Sequence, residues 1–228
     1  MVHHDWIEEN LVFELKSHPP LNRLPSFQQG LFYVQDPSTL LAVRELDPRP
    51  GETVLDLCAA PGGKLTHIAQ LMRNKGALVA HDTAHERLKL IEENCARLGV
   101  SCVRTIQPSD LGPQNSSEFS QFDRVLIDAP CSNTGVMRRR LDLRWRIRLE
   151  EIKRLRTGQL GLLFKAAALL KPGGMLIYST CSLEPEENAE VVNEFLSGQP
   201  AFKLRHSREL LPFNEGVDGA YVARMVRR

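Results

Sequence analysis

The sequence predicts an α/β fold in which a mostly parallel sheet carries helices on both faces. Two observations predict it. Short apolar runs rich in β-branched residues alternate with stretches that place apolar residues at helical spacing. Pro/Gly turns follow several of these runs and mark where strand gives way to helix. A length of 228 residues fits one sizeable domain with a short appendage.

Taken in order, residues 1–30 are mixed and Pro-containing (Pro19-Pro20, Pro25). They are expected to be an extended lead-in or the tail of an upstream domain, and residues 31–228 the main domain. Thr53-Val-Leu-Asp-Leu57 is a buried strand ending in the Pro61-Gly-Gly63 turn, and residues 64–72 then carry apolar side chains at 65, 68, 69 and 72, a helix. Ala77–Ala80 is the next strand. Residues 84–98, with Leu88, Ile91, Cys95 and Leu98 on one face, form a second helix, and a weak strand covers 102–106. A polar loop from Pro108 to Gln121 precedes a strand over 122–128. A long helix with Ile152, Leu155, Leu160, Leu163, Phe164 and Ala167 ends at Lys171-Pro-Gly-Gly174. Residues 175–178 form a strand, 186–196 a helix started by Pro185 and nearby acids, and 221–226 a final strand.

Composition narrows the class. Hydrophobic residues make up 42% and charged residues 25%, which excludes a disordered or fibrous chain. No apolar run approaches membrane-spanning length, and no secretory leader is visible, so no membrane is expected among the partners. Five cysteines without a Cys-x-x-Cys pair predict reduced thiols in a cytoplasmic protein, with neither a disulfide framework nor a metal. The formal net charge is +1, but residues 138–156 hold nine basic side chains against three acidic ones. Such a block is the footprint of a phosphate backbone or a solvated helix face. Trp145, inside it, can stack on a base or anchor a core.

In open α/β sheets ligands bind beyond the carboxyl ends of the strands. The polar residues there are Asp56 with the loop Cys58-Ala59-Ala60-Pro61-Gly62-Gly63-Lys64, then Asp82, Asp110, Asp128 with Pro130-Cys131, and Thr180-Cys181. The glycines let backbone approach a ligand at a helix N-terminus. The loop matches neither G-x-G-x-x-G nor a Walker A loop, so the ligand is not expected to be NAD or ATP. Asp82 is placed either to accept ribose hydroxyls or to form a turn. Cys95 and Cys102 fit buried small hydrophobes, whereas Cys58 is ambiguous. Cys131 and Cys181 both end strands, in turns rather than apolar patterns, which suggests covalent catalysis by a thiolate with a second group resolving the intermediate.

Residues Leu55 to Lys64 closely resemble the S-adenosylmethionine (SAM) loop of the RNA cytosine-5 methyltransferases of the Sun/Fmu (RsmB-like, NSUN-related) type. Phe27-Gln-Gln-Gly30 with Val34-Gln-Asp-Pro37, Asp128-Ala-Pro-Cys-Ser-Asn-Thr-Gly135, and Tyr178-Ser-Thr-Cys-Ser182 with Glu186-Glu-Asn188 match in order and spacing. The match runs from about residue 20 to the end. Its Pro-Cys and Thr-Cys pair separates the family from DNA cytosine methyltransferases, which use the Pro-Cys thiol alone. The resemblance implies a class I SAM-dependent methyltransferase fold, Rossmann-like and doubly wound. Its sheet has seven strands, with one antiparallel strand from Asp218-Gly219 to Met225.

By resemblance, Cys181 is the nucleophile that adds to C6 of cytosine, and Cys131 serves product release by removal of the C5 proton, directly or by supporting a base. Asp128 hydrogen-bonds the N3/N4 edge, a role that needs a proton. Residues 58–64, Asp82, Asp110 and Asp128 contact SAM, with Asp82 on the ribose and Asp110 on the adenine amine. Lys64 binds the SAM carboxylate or lies near the base. Arg138, Arg139, Arg140, Arg144 and Trp145 are the RNA-binding candidates. The expected substrate is ribosomal RNA, with transfer RNA next, and a monomer is favoured; a SAM-fold RNA-binding assembly factor without catalysis is the alternative from another class. Three departures stand out: Asn133 where glycine is common, Arg140-Leu141-Asp142 for His-Pro-Asp, and His81-Asp82-Thr83 without the usual Ser two residues after the Asp. The family's additional helical N-terminal RNA-binding domain is represented by a stub at most.

Overall fold

The computed structural model describes residues 1–107, 110 and 121–228. Its strands are β1 (Thr53–Asp56), β2 (Ala77–His81), β3 (Val103–Ile106), β4 (Phe122–Asp128), β5 (Leu170–Thr180), β6 (Phe202–Leu210) and β7 (Ala220–Arg227). Its helices are α1 (Pro25–Gln28), α2 (Thr39–Leu46), α3 (Gly63–Leu71), α4 (His85–Leu98), α5 (Leu143–Arg146), α6 (Leu149–Leu169), α7 (Ala189–Gly198) and α8 (Pro212–Glu215). The strands join in the order β3-β2-β1-β4-β5-β7-β6. Neighbours among β1 to β5 pair in parallel, and β7 runs antiparallel to both β5 and β6. The single reversed strand is the one expected from Asp218-Gly219 onward.

Alternation along the strands divides the core. Val54, Leu126, Ile177 and Val222 face one cluster, covered by α2, α3 and α4. Their neighbours Leu55, Val125, Leu176 and Tyr221 face the other, covered by α6 and α7. The chain winds outward from β1 in one direction and from β4 in the other, so the crevice between the β1 and β4 ends is the switch point where such sheets bind ligands.

Several elements differ from expectation. β6 escaped the sequence reading because Lys203, Arg205, His206 and Ser207 are exposed and the strand lies at the sheet edge, paired only to β7. An edge strand covered on little of its surface shows no apolar alternation, and its charges suit an unpaired edge. Lys171-Pro-Gly-Gly174 does not separate helix from strand. β5 begins at Leu170, and the Pro-Gly-Gly lies in a bulge between the pairs Phe122–Leu170 and Arg124–Met175. Residues 185–187 form a 3-10 turn and α7 starts only at Ala189, because Glu187 turns inward instead of serving as a helix-start acid. Most of the polar loop at 108–121 lies outside the described residues.

The segment expected as a lead-in is fastened to the domain near its start. Trp6 is buried in the first core cluster and its indole donates to the Pro37 carbonyl at 3.2 Å. The Arg208 guanidinium lies 4.8 Å from the Trp6 ring centre and forks onto Asp5 at 2.7 and 2.9 Å. Among the described residues no helix is long and apolar enough to cross a membrane, and no group of three or more His, Cys, Asp or Glu could hold a metal.

Candidate active site

The loop after β1 is built from the backbone upward. Gly62 has φ +106°, a left-handed conformation that glycine adopts without the penalty a side chain brings, and it caps α3 with no side-chain hydrogen bond. A Cβ on Gly63 would stand 2.8 Å from Gln35 Oε1 and 2.9 Å from the Tyr33 ring, so the Tyr33–Gln35 strip roofs the helix N-terminus closely. Asp82 is buried; it accepts the Ala60 amide at 3.1 Å and pairs with Arg87 at 3.1 Å, while Arg87 donates to the Ala60 carbonyl at 2.8 Å. Asp82 and Arg87 thus hold the loop from below. Asp110 accepts the Gln107 amide at 2.8 Å, just past β3.

Asp56 has the least satisfied carboxylate in this crevice. It is 1% exposed, one oxygen accepts the Cys58 amide at 3.4 Å, and the other has no hydrogen-bond partner. Burial, reinforced by the Asp128 charge, pushes its pKa up to about 7. A buried carboxylate with an orphaned oxygen is completed by a cation. The ammonium of SAM is one, and a glycine turn at a helix N-terminus suits its carboxylate. The residues present therefore fit SAM. Burial, then the nearby Asp56 charge, raises the Cys58 thiol far above its usual range, so this loop cysteine stays neutral.

The reactive end of the crevice lies between β4 and β5. Lys64 reaches from α3 to Asp128 at 2.6 Å. Burial works against its charge, but Asp128, followed by Cys181 and Asp56, outweighs that and holds the lysine protonated. Cys131 follows β4, Cys181 follows β5, and their sulfurs are 3.3 Å apart. The thiol of Cys181 also donates to Asn133 Oδ1 at 2.9 Å, and Asn133 Nδ2 donates to the Cys131 carbonyl at 2.8 Å. The hydrogen bond with Cys181, then burial, lifts the Cys131 pKa well above the ordinary thiol value. Cys131 is thereby kept as a neutral thiol. Asn133 sits at φ 61°, where asparagine is the best substitute for glycine, which explains how this chain departs from glycine without straining the loop.

The structure thus brings together Cys58 to Lys64, Asp82, Asp128, Cys131 and Cys181, with Asp56 and Asn133 added. Asp56 was legible as a strand-end acid; the hydrogen bond from Cys181 to Asn133 joins residues 48 apart and had no local signal.

The basic block divides in two. Arg138 and Arg139 are ion-paired to the largely buried Asp36 and Asp218, at 2.5 to 3.1 Å. Among the described residues Arg140 pairs with exposed Asp142 at 3.2 Å, and Arg144 is exposed. Trp145 is 81% exposed, so it is not a core anchor.

Comparison with known proteins shows the family. Residues 43–226 match the family model described as 16S rRNA methyltransferase RsmB/F. The chain is 39% identical over 219 residues to a probable ribosomal RNA small subunit methyltransferase B of Bacillus subtilis, covering 89% of this chain and 49% of that one. It is 42% identical over 214 residues to the ribosomal RNA small subunit methyltransferase B of Vibrio vulnificus, covering 91% and 50%. The chain spans about half the length of the curated relatives it matches. Among solved structures, a methyltransferase homolog protein from Pyrococcus horikoshii aligns with a TM-score of 0.81 at 34% identity, over 93% of this chain and 73% of that one. NSun6 from the same organism, solved with SFG, aligns at 0.82 and 32%, over 92% and 56%.

Proposed function

This chain belongs to the 16S rRNA methyltransferase RsmB/F family, and from that membership we propose that it methylates C5 of a cytosine in small-subunit ribosomal RNA. The observation that carries the reading is the pair of thiols 3.3 Å apart beside the Lys64–Asp128 pair. SAM is the cofactor of the family, and when bound it supplies an electrophilic methyl group.

Each residue acts on cytosine through its own chemistry. Cys181 Sγ, as thiolate beside the Lys64 ammonium, adds to C6, and the electron pair displaced makes C5 nucleophilic. Asp128 accepts a hydrogen bond from the Lys64 ammonium at 2.6 Å, so the proton-bearing donor that the N3 edge needs is assigned to Lys64 instead of Asp128, and the Asp128 carboxylate accepts from the N4 amine as negative charge builds on the ring. After C5 has gained its methyl, its proton must leave; Cys131 relays it, passing its own thiol proton to solvent as it gains the one from C5, while the electron pair of the C5–H bond re-forms the C5–C6 double bond, the C6–S bond breaks and the Cys181 thiolate is restored. Neutral Cys131 fits a proton relay better than a second nucleophile. Both thiols lie at one end of the sheet, so the target base must be single-stranded or flipped out.

Residues 58–64, Asp82, Asp110 and Asp128 form the SAM site, to which Asp56 is added. Arg140, Arg144 and the exposed Trp145 face the RNA, the arginines toward phosphate and the indole toward a base. Arg138 and Arg139 fix that segment to Asp36 and Asp218. The protein works as a cytoplasmic monomer, and residues 1–30 are a lead-in or the remnant of an N-terminal RNA-binding region.

The test is transfer of labelled methyl from SAM to small-subunit ribosomal RNA and, separately, to transfer RNA, followed by nucleoside analysis. The expected product is 5-methylcytidine in ribosomal RNA. Label in transfer RNA alone would move the substrate class, and SAM binding with label in neither would favour an RNA-binding assembly role.

A further inference from the structure

Glu187 is fully buried, and among the described residues no lysine or arginine supplies its charge partner. Its carboxylate instead gathers polar groups from three separate elements. Oε1 accepts the backbone amide of Ser132 at 2.9 Å and Gln159 Nε2 at 3.0 Å. Oε2 accepts the hydroxyl of Ser182 at 2.6 Å and, in a very short contact, that of Ser132. Ser132 follows Cys131, and Ser182 follows Cys181. One carboxylate is therefore bonded to the residue next to each reactive cysteine. Gln159, on α6, also donates to the Pro130 carbonyl at 2.9 Å, which draws in the residue before Cys131.

The surroundings tighten the same joint. The Gly135 amide donates to the Cys181 carbonyl at 2.9 Å, and a Cβ on Gly135 would lie 2.7 Å from that oxygen. Thr180 Oγ1 donates to Asn188 Oδ1 at 2.6 Å, and Asn188 Nδ2 donates to the Ser182 carbonyl at 2.9 Å. A buried carboxylate is costly unless its oxygens are well supplied with hydrogen bonds, and a network of this kind favours one geometry over nearby alternatives.

We infer that Glu187 is a positioning residue whose carboxylate joins the Cys131 and Cys181 loops and sets the distance between the two thiols. The catalytic meaning of that distance rests on the function proposed above, but the distance itself is a property of this chain. Reacting groups held within contact distance behave as if at very high concentration, and a shift of about 1 Å lowers such a rate by up to about a hundred-fold.

The test measures proximity without RNA or SAM. The full chain is treated with diamide, an azo oxidant that takes two electrons and two protons from the thiols and becomes a hydrazine as the S–S bond forms. Appearance of the Cys131–Cys181 linkage is followed by peptide mass spectrometry in the wild type and in Glu187→Gln. Glu187→Gln keeps the size of the side chain but replaces one acceptor oxygen with a donor. The expected result is a linkage rate lower by about ten-fold or more in the variant, at unchanged circular dichroism, with the reactivity of the half-buried Cys102 thiol toward a monofunctional reagent unchanged. A rate within about two-fold of wild type, in a folded variant, overturns the inference. If Glu187→Gln does not fold, the double substitution Ser132→Ala/Ser182→Ala carries the same test: slowed linkage supports the role, and an unchanged rate overturns it. In the methyl-transfer assay, loss of positioning lowers kcat while KM for RNA holds. A chain with no methyl-transfer activity at all but with fast, Glu187-dependent linkage would sink the proposed function and leave this inference standing.

Discussion

The two ends of the same sheet are built from similar residues and behave differently. At the amino ends of the strands, Glu52 forks onto Arg124 at 2.5 and 2.9 Å, and Asp123 pairs with Lys171 at 2.7 Å while accepting the Thr53 amide at 2.8 Å. These residues line a cleft of their own, with Pro172, Gly173, Gly174 and Met175. Its carboxylates are matched by guanidinium, ammonium or backbone amide, and Lys171 with the Thr53 amide holds Asp123 below the usual carboxylate range in spite of burial. At the carboxyl ends, Asp56 is buried with one oxygen unpartnered, and two thiols touch. A concavity alone does not mark the site; polar groups left poised for a partner do.

The comparison is broken most severely at the thiols. Replacing Cys181 with alanine is expected to lower methyl transfer by about 10⁴-fold or more while SAM affinity, measured by calorimetry, stays within error. Retained turnover would remove the chemical asymmetry between the two ends.

Next in size is a pair of substitutions, one at each end. Asp56→Asn is expected to weaken SAM binding by about ten- to a hundred-fold, because a charge-assisted contact is lost. Asp56 also makes a pH prediction. Its pKa in the folded protein is raised from 3.8 to about 7, so the folded state favours the proton. The contribution of Asp56 to the stability of the SAM-free protein is then fully present below the ordinary carboxylate range and is lost as pH rises through about 7. Asp56→Asn should abolish that loss and leave the free protein more stable at neutral pH by about 2–4 kcal/mol. SAM affinity runs the other way: it rises with pH up to about 7 as the carboxylate ionises, and the rise disappears in Asp56→Asn. At the opposite end, Glu52→Gln should destabilise the fold by about 1–3 kcal/mol in denaturant titrations and leave SAM affinity unchanged. If the two substitutions had the same signature, the ends would not differ as described.

The smallest effects are expected on the exposed part of the basic segment. Trp145→Ala should cost about 1–3 kcal/mol of RNA affinity through lost stacking, without altering thermal stability. Arg144→Ala should weaken binding to all RNA sequences alike and reduce the salt dependence by about one counterion.

How much of this was legible in the sequence follows from where each interaction lies. β1, β2, β4 and the helices between them declare themselves through apolar periodicity, and the loop 58–64 through its glycines. β6 does not, because Lys203, Arg205 and His206 occupy an exposed edge. The pairing of Cys131 with Cys181 spans 50 residues and becomes visible only when β4 and β5 pair in register. Glu187 misleads in an instructive way: an acid after Pro185 has the pattern of a helix start, yet tertiary burial turns it into the link between two loops. Arg138 and Arg139 count as basic charge in any sequence window, but Asp36, about 100 residues away, accepts hydrogen bonds from both. Local pattern reports which face is buried and which turn is tight; it is silent about partners that meet only in three dimensions.

The central claim, that Cys181 attacks and Cys131 releases, is tested most directly by trapping the intermediate. Wild type, Cys131→Ala and Cys181→Ala are each incubated with SAM and labelled small-subunit ribosomal RNA and run on a denaturing gel. A protein–RNA adduct that accumulates in Cys131→Ala and is missing in Cys181→Ala is the predicted result. Accumulation in Cys181→Ala instead would reverse the two roles and contradict the account.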